Sequence, residues 1–232
     1  MLTENKFSKY MLYAIGEIVL VVIGILIALS INNWNDVKKQ RKKEVVYLTE
    51  LKKGLENDLK IEFIPAIRLY KKRIERHKKL KYFYNNSETF PNDSLTKYFR
   101  SCFSSEWDFV FNTAAFENIK STGIDIISND SIRSKVSSLY SHSYPNIRAI
   151  NQNSIRYYDL QISPIIFENL NLNSNVFTHS ELDFLKNSIQ ISNRLRKLRW
   201  RTSFLQQKLL LPIQQTVESL INDIDLELKR LE

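Results

Sequence analysis

The side chains able to do acid–base, nucleophilic or metal chemistry are few and far apart. The histidines are His77, His142 and His179, and the single cysteine is Cys102. One cysteine forbids an internal disulfide, and three scattered histidines offer no Cys/His zinc cluster. His77 lies in a basic run, His142 between two serines and His179 beside a helix start, so each reads as an ordinary surface or cap residue. Cys102, between Ser101 and Phe103, reads as a small buried or half-buried apolar side chain. Glu106-Trp107-Asp108 is the nearest approach to paired carboxylates, but neighbouring positions do not share a helix face, and Trp107 reads as a loop anchor. Four glycines in 232 residues leave no glycine-rich phosphate loop, and GxSxG, HExxH and GxGxxG are absent. The expectation is a protein that is not an enzyme, with no catalytic residue, no metal and no cofactor.

One charge stands out by its position. Glu17 interrupts an otherwise apolar run from Met11 to Ile31, MLYAIGEIVLVVIGILIALSI. About 20 apolar residues are what a helix needs to cross a hydrocarbon core of about 30 Å. Tyr10 and Tyr13 at one end and Trp34 at the other are placed as interfacial aromatics, and Asn32, Asn33 and Asn35 end the run. A cleaved signal peptide is the rival, with small residues at Ala28 and Ser30, but the run is longer than a signal core and holds Glu17. A carboxylate at the bilayer centre costs about 2.5–3.5 kcal/mol, so Glu17 is read as snorkelling to the interface, protonated or paired with a neighbouring chain. Gly24 and Ala28, with Gly16 on a similar face, form a strip of small residues that suits close helix approach and homo-oligomerisation.

The formal charge of +9 is concentrated. Residues 36–81 hold 16 Lys and Arg against 7 Asp and Glu, and the remainder of the chain balances. Lys38, Lys39, Arg41, Lys42 and Lys43 follow Trp34 directly, where each can contribute about 1 kcal/mol against an anionic leaflet. A second cluster, Lys71 to Lys81, lies about 45 Å further along a helix rising 1.5 Å per residue, beyond reach of the membrane. It reads as a solvated helix face or as a docking site for an anionic protein partner. A charge excess confined to one stretch is not what a nucleic-acid binder needs, and that partner is not expected.

The elements that carry these residues follow from periodicity. Val45, Leu48, Leu51, Leu55, Leu59, Phe63, Ile67, Tyr70 and Ile74 recur at helical spacing, with Pro65 predicting a bend or interruption and an end near Tyr84. Leu195, Leu198, Leu205, Leu209, Ile213, Val217, Leu220, Ile224, Leu228 and Leu231 repeat the pattern, with a start signal at Ser180-Glu181 and a kink at Pro212. Two long helices of similar length predict an antiparallel pair, returning Glu218, Asp223, Asp225 and Glu227 towards Lys38–Lys43 and setting Arg194, Arg196, Lys197, Arg199 and Arg201 beside Lys71–Lys81. Between them, Asn129-Asp130-Ser131 offers N-cap oxygens before Ile132, and Asn112 and Gly123 frame a helix with a left-handed end. With 43% hydrophobic residues and few alternating runs, the chain is read as all-α. One N-terminal transmembrane helix continues into a long amphipathic helix, and a helical-bundle soluble domain is closed by a long C-terminal helix. The divisions are a leader 1–10, a span 11–31, a basic helix 32–84, shorter helices 85–185 and the closing helix 186–232.

Residues 6–36, KFSKYMLYAIGEIVLVVIGILIALSINNWND, closely resemble the N-terminal signature of a DUF6090-like family of uncharacterised Bacteroidetes proteins. Residues 112–141, NTAAFENIKSTGIDIISNDSIRSKVSSLYS, resemble its second recurrent stretch, including Asn112, Thr113, Ala114, Ala115, Phe116, Lys120, Ser121 and Gly123. The resemblance implies a single-pass protein of the bacterial inner membrane with a helical soluble domain and no assigned activity; related chains often begin with a basic arm, so the true start can lie upstream. With Lys6 and Lys9 before the span and five basic residues after it, the positive-inside rule leans the domain towards the cytoplasm. Two functions fit: a membrane-anchored interaction or scaffolding module, self-associating through its span and long helices, or a sensory helical bundle whose aromatic segment 103–116 lines a ligand pocket.

Overall fold

The computed structural model describes residues 4–85 and 89–231. Residues 1–3 of the leader, Asn86 and Ser87, and the side chains up to residue 8, Lys6 among them, lie outside that description. The elements are all helical: α1 (Glu4–Asp58), α2 (Ile64–Tyr84), α3 (Asn92–Cys102), α4 (Ala114–Thr122), α5 (Asp130–Ser138), α6 (Tyr144–Gln161), α7 (Ser163–Asn169), α8 (His179–Asn187), α9 (Ile189–Phe204) and α10 (Leu211–Leu231).

Short π-helical turns fuse several of these into longer rods: Leu59–Phe63 joins α1 to α2, Leu139–Ser143 joins α5 to α6, and Leu205–Leu210 joins α9 to α10. Each turn is followed two residues later by a proline, at Pro65, Pro145 and Pro212. A proline in a helix removes one N–H and drives its ring against the carbonyl four residues earlier. Those carbonyls belong to Ile61, Ser141 and Lys208, each inside a π turn. Widening the turn makes room for the ring, and the helix runs on. The interruptions that Pro65 and Pro212 predict therefore take the form of a π turn within a continuing helix.

The two long rods pack antiparallel: α1 lies on α10 and α2 on α9. Leu48, Leu51 and Leu55 meet Val217, Leu220 and Ile224 in a proximal core that also takes Phe63, Phe109, Phe111, Phe116, Tyr140 and Tyr144. Phe111 and Tyr144 stack with ring centres 3.8 Å apart, and Phe116 stacks on Tyr140 at 4.6 Å. A separate distal core gathers Leu80, Phe83, Phe99, Cys102, Phe103, Ile162, Phe177, Leu185 and Leu198. The aromatic segment 103–116 thus fills core space and links the two cores.

The caps hold the shorter helices in place. The Asn129 side chain accepts from the backbone N–H groups of Ser131 and Ile132, starting α5. The neighbouring Ser128 donates its N–H and hydroxyl to Glu44 of α1 at 2.7 and 2.8 Å, so this cap is tied to the long helix where it first becomes buried. Thr178, not Ser180, caps α8, in a reciprocal box with Glu181. A further helix start intervenes at Ser188, which caps α9, so the C-terminal rod begins at Ile189 rather than at 186. The returning acidic residues do not reach Lys38–Lys43. Asp225 pairs with Lys52 and Asp223 with Lys135, both at 2.6 Å, Glu227 holds Arg230 and Asn129, and Glu218 accepts from Gln214. The register at which the pair packs sets Asp223 and Asp225 beside Lys135 and Lys52 instead.

Candidate functional site

Tracing the buried stripe up α2 shows why the two cores stay separate. After Phe63, Ala66 and Tyr70, the next inward positions at spacings of three and four are Arg73 and His77, before Leu80 resumes the apolar pattern. The same break occurs on α6, where Asn151 and Ser154 are buried after Ile147, and on α9, where Thr202 is buried between Leu198 and Leu205. Ser104, Ser105 and Glu106 of the crossing segment complete the layer. A polar slab therefore lies between two apolar cores.

Its centre is an ion pair shut off from solvent. The Arg73 guanidinium donates to Glu106 at 2.9 Å, with both side chains 1% exposed. It also donates to the Ser104 hydroxyl and the Ser105 carbonyl, each at 2.9 Å, and to the Ser104 carbonyl at 3.3 Å. The Tyr70 hydroxyl donates to Asn151, whose amide donates to the Trp107 carbonyl. Arg201 donates to the Ser154 hydroxyl at 3.1 and 3.2 Å and lies over the Tyr157 ring. Arg73 Nε, His77 Nε2 and Thr202 Oγ1 are buried without a hydrogen-bond partner. Buried polar atoms are normally paired, because an orphan forfeits its hydration.

About three to four turns nearer the N-terminal end of the rod, a second set of carboxylates pins the same segment, the loop 104–112. Asp58 accepts the Asn112 N–H at 2.8 Å and the Tyr144 hydroxyl at 2.9 Å. Burial pushes its carboxyl up to about 6, against the pull of those two donors, and Glu62 nearby adds to the rise. Glu62 accepts the Trp107 indole N–H at 2.9 Å. Burial, with the Asp58 charge, also lifts Tyr144 above the ordinary phenol range. Positions 58, 62 and 73 on one helix face thus hold the loop 104–112 at Asn112, at Trp107 and at Ser104–Glu106.

Two clefts open beside the polar slab. One, of about 520 Å³, lies between α6 and α9 and is lined by Ser154, Tyr157, Leu160, Trp200, Arg201 and Phe204. The other, of about 280 Å³, lies between α2 and α9 and includes His77, Lys81, Tyr84, Ser192, Arg196 and Arg199.

The sequence-predicted residues fall as follows. Tyr10, Tyr13, Gly16, Glu17, Gly24, Ala28 and Trp34 lie on the fully exposed part of α1. A methyl group added at Gly16 or Gly24 meets nothing within 4 Å, so that strip is open to a neighbour. Among the described residues, one helix is long and apolar enough to cross a membrane, and it is this one. Lys38, Lys39, Arg41, Lys42 and Lys43 are exposed on the short stalk between Trp34 and Glu44, with Lys38 over the Trp34 ring at 5.1 Å. In the second motif, Asn112 both donates to Asp58 and accepts the Ala114 N–H, and Thr113 is the N-cap. Ala115 and Phe116 are buried, Thr113 is half-buried, Ala114, Lys120 and Ser121 are exposed, and Gly123 takes φ +110°.

That motif therefore carries the tie between crossing segment and long helix, and the chain matches, over residues 17–193, the family described as Family of unknown function (DUF6090). The chain belongs to the DUF6090 family. No curated protein and no solved structure matches it.

Two readings of this DUF6090 chain need correction. His77 is not a surface residue: it is 4% exposed. Burial, with the charges of Arg73 and Arg199, pulls its imidazole down to about 3. Arg73, within the same basic run, is fully buried instead of solvated. Both lie on the continuation of the Leu48–Leu55 stripe, and that register was the signal that could have found them. Cys102 is buried in the distal core, and burial pushes its thiol up to about 12, so it stays a thiol.

Proposed function

We propose that this protein is a membrane-anchored interaction module that holds a helical domain rigidly on one span and associates with further copies through that span. The observation that carries this reading is the unbroken rod from α1 through the π turn to α2. Its first part is exposed along residues 11–31 and apolar there apart from Glu17 and Ser30, and its second part supplies one wall of both cores. A helix continuous across that junction leaves no flexible linker, so rotation or displacement of the span moves the domain with it.

The stalk is short. From Trp34 to Glu44, the first buried position, the rise is about 15 Å. The basic residues 38–43 occupy that interval and suit contact with anionic lipid headgroups. The inner faces of the long helices are engaged within the chain, which leaves the strip Gly16, Gly24 and Ala28 as the surface for self-association. An excess of basic residues after the span favours a cytoplasmic domain in a bacterial inner membrane. Single cysteines at Gly24, Ala28, Ile23 and Leu26, oxidised in native membranes, test the reading. Disulfide-linked dimers at Gly24 and Ala28 but not at the other two positions support it. Monomers at all four positions overturn self-association through the span.

A further inference from the structure

The cleft between α2 and α9 gathers three cationic side chains on its facing helices. Its cationic side chains are Lys81 and Arg199 on its two walls and Arg196 one turn before Arg199. Among the described residues no carboxylate lines it, and neither Lys81 nor Arg199 forms an ion pair. Arg196 reaches only the Asn193 side chain, at 2.9 Å. By contrast, Arg73 is paired with Glu106, Lys52 with Asp225 and Lys135 with Asp223.

The cleft also abuts the polar slab at its least satisfied point. His77, 4% exposed, lines it, and its Nε2 is one of the partnerless buried atoms. Burial is the main cause of the depressed basicity of His77, and the positive charges of Arg73 and Arg199 add to it. Ser192 and Asn85 add neutral polar groups at the rim, and Leu80, Leu195 and Tyr84 form an apolar floor and side. Arginines on a rigid helix present paired N–H donors suited to phosphate oxygens.

We infer that this cleft is a binding site for a small phosphate-bearing molecule, held by Arg196, Arg199 and Lys81 against the ring of His77. The volume of about 280 Å³ admits a phosphate group with a few further heavy atoms. The site is built on helices, not loops, and lies about 70 Å along the rod from Trp34. A lipid headgroup of the bilayer that anchors the same chain is therefore out of reach. The inference is independent of whether the chain self-associates.

Thermal unfolding of the full chain in detergent, at constant ionic strength and pH, tests it with inorganic phosphate and glycerol 3-phosphate as probes and chloride as the reference anion. A saturable rise in Tm with either probe is expected, because a ligand that binds only the native state stabilises by mass action. Arg196→Ala/Arg199→Ala should weaken the apparent affinity at least about tenfold, the loss expected for charge-assisted hydrogen bonds. Lys71→Ala/Lys72→Ala removes the same charge from the exposed face of α2 and should leave the response unchanged. No saturable shift, or equal weakening in both double variants, overturns the site. If the arginine pair unfolds without ligand, Arg199→Gln and Lys81→Gln tested singly give the same comparison.

Discussion

Replacing Arg73 by methionine removes the centre of the polar slab while keeping an unbranched side chain of similar length. The Glu106 side chain, 1% exposed, then loses its cationic partner, and the carbonyls of Ser104 and Ser105 lose a donor. Removing one partner of a buried ion pair costs about 3–5 kcal/mol, because the other charge stays buried without compensation. At about 2–4 °C per kcal/mol for a chain of this size, the Tm should fall by about 6–20 °C. Glu106→Gln keeps an acceptor facing the guanidinium and should cost less. Glu106→Leu alone leaves the guanidinium buried without its counter-charge, and the double variant Arg73→Met/Glu106→Leu, which removes both charges, should be more stable than either single variant. Circular dichroism at 222 nm, on the full chain in detergent, gives all four corners of the cycle. If each single variant melts within about 1 kcal/mol of the parent, or if the double loss equals the sum of the single ones, the ion pair is not coupled and the argument fails.

Asp58 and His77 give opposite pH dependences. Asp58 titrates near 6 in the native state, above its unfolded value, so stability should fall as pH rises from about 4 to 6, by roughly 3 kcal/mol. Asp58→Asn should therefore gain on the parent across that window, and a constant difference in Tm from pH 4 to 7 would count against a strained carboxylate. His77, pulled down to about 3, contributes stability that is complete above its unfolded value near 6.5 and is lost as pH falls towards 3, by roughly 4–5 kcal/mol. His77→Phe should flatten that acid limb, and an unchanged acid limb would contradict burial of the neutral ring. Gly123 sits at φ +110°, ψ 123°, with nothing within 4 Å of an added methyl. Gly123→Ala should cost about 1–3 kcal/mol through backbone strain alone, and a urea midpoint that does not move would refute the strain.

Local chemistry made much of this protein legible. The run from Met11 to Ile31 needs no tertiary information, because its length and composition already match a bilayer. The long stripes beginning at Leu48 and Leu195 fixed two amphipathic helices and their antiparallel pairing, since each face can be buried only against another. Asn129 as a cap and Gly123 at a positive φ were readable because those conformations depend on one or two residues. The resemblance of residues 6–36 and 112–141 pointed to the family.

Other features depend on which residues meet across space. Arg73 and His77 looked like part of a solvated basic run, and only the packing of α2 against α9 and the crossing segment turned them inward. The partner of Arg73 is Glu106, 33 residues away, and no spacing rule announces such a pair. Asp58, Glu62 and Trp107 form their contacts only once the loop 104–112 is laid across the long helix. The acidic residues of α10 were expected at Lys38–Lys43 but found Lys52 and Lys135, because charge complementarity is diffuse while helix packing sets register to within one turn. The prolines were visible as a disturbance, but whether a helix ends, kinks or widens into a π turn depends on whether its flanking apolar residues still find a core. Here Phe63, Tyr144 and Leu210 all do, and the helices continue.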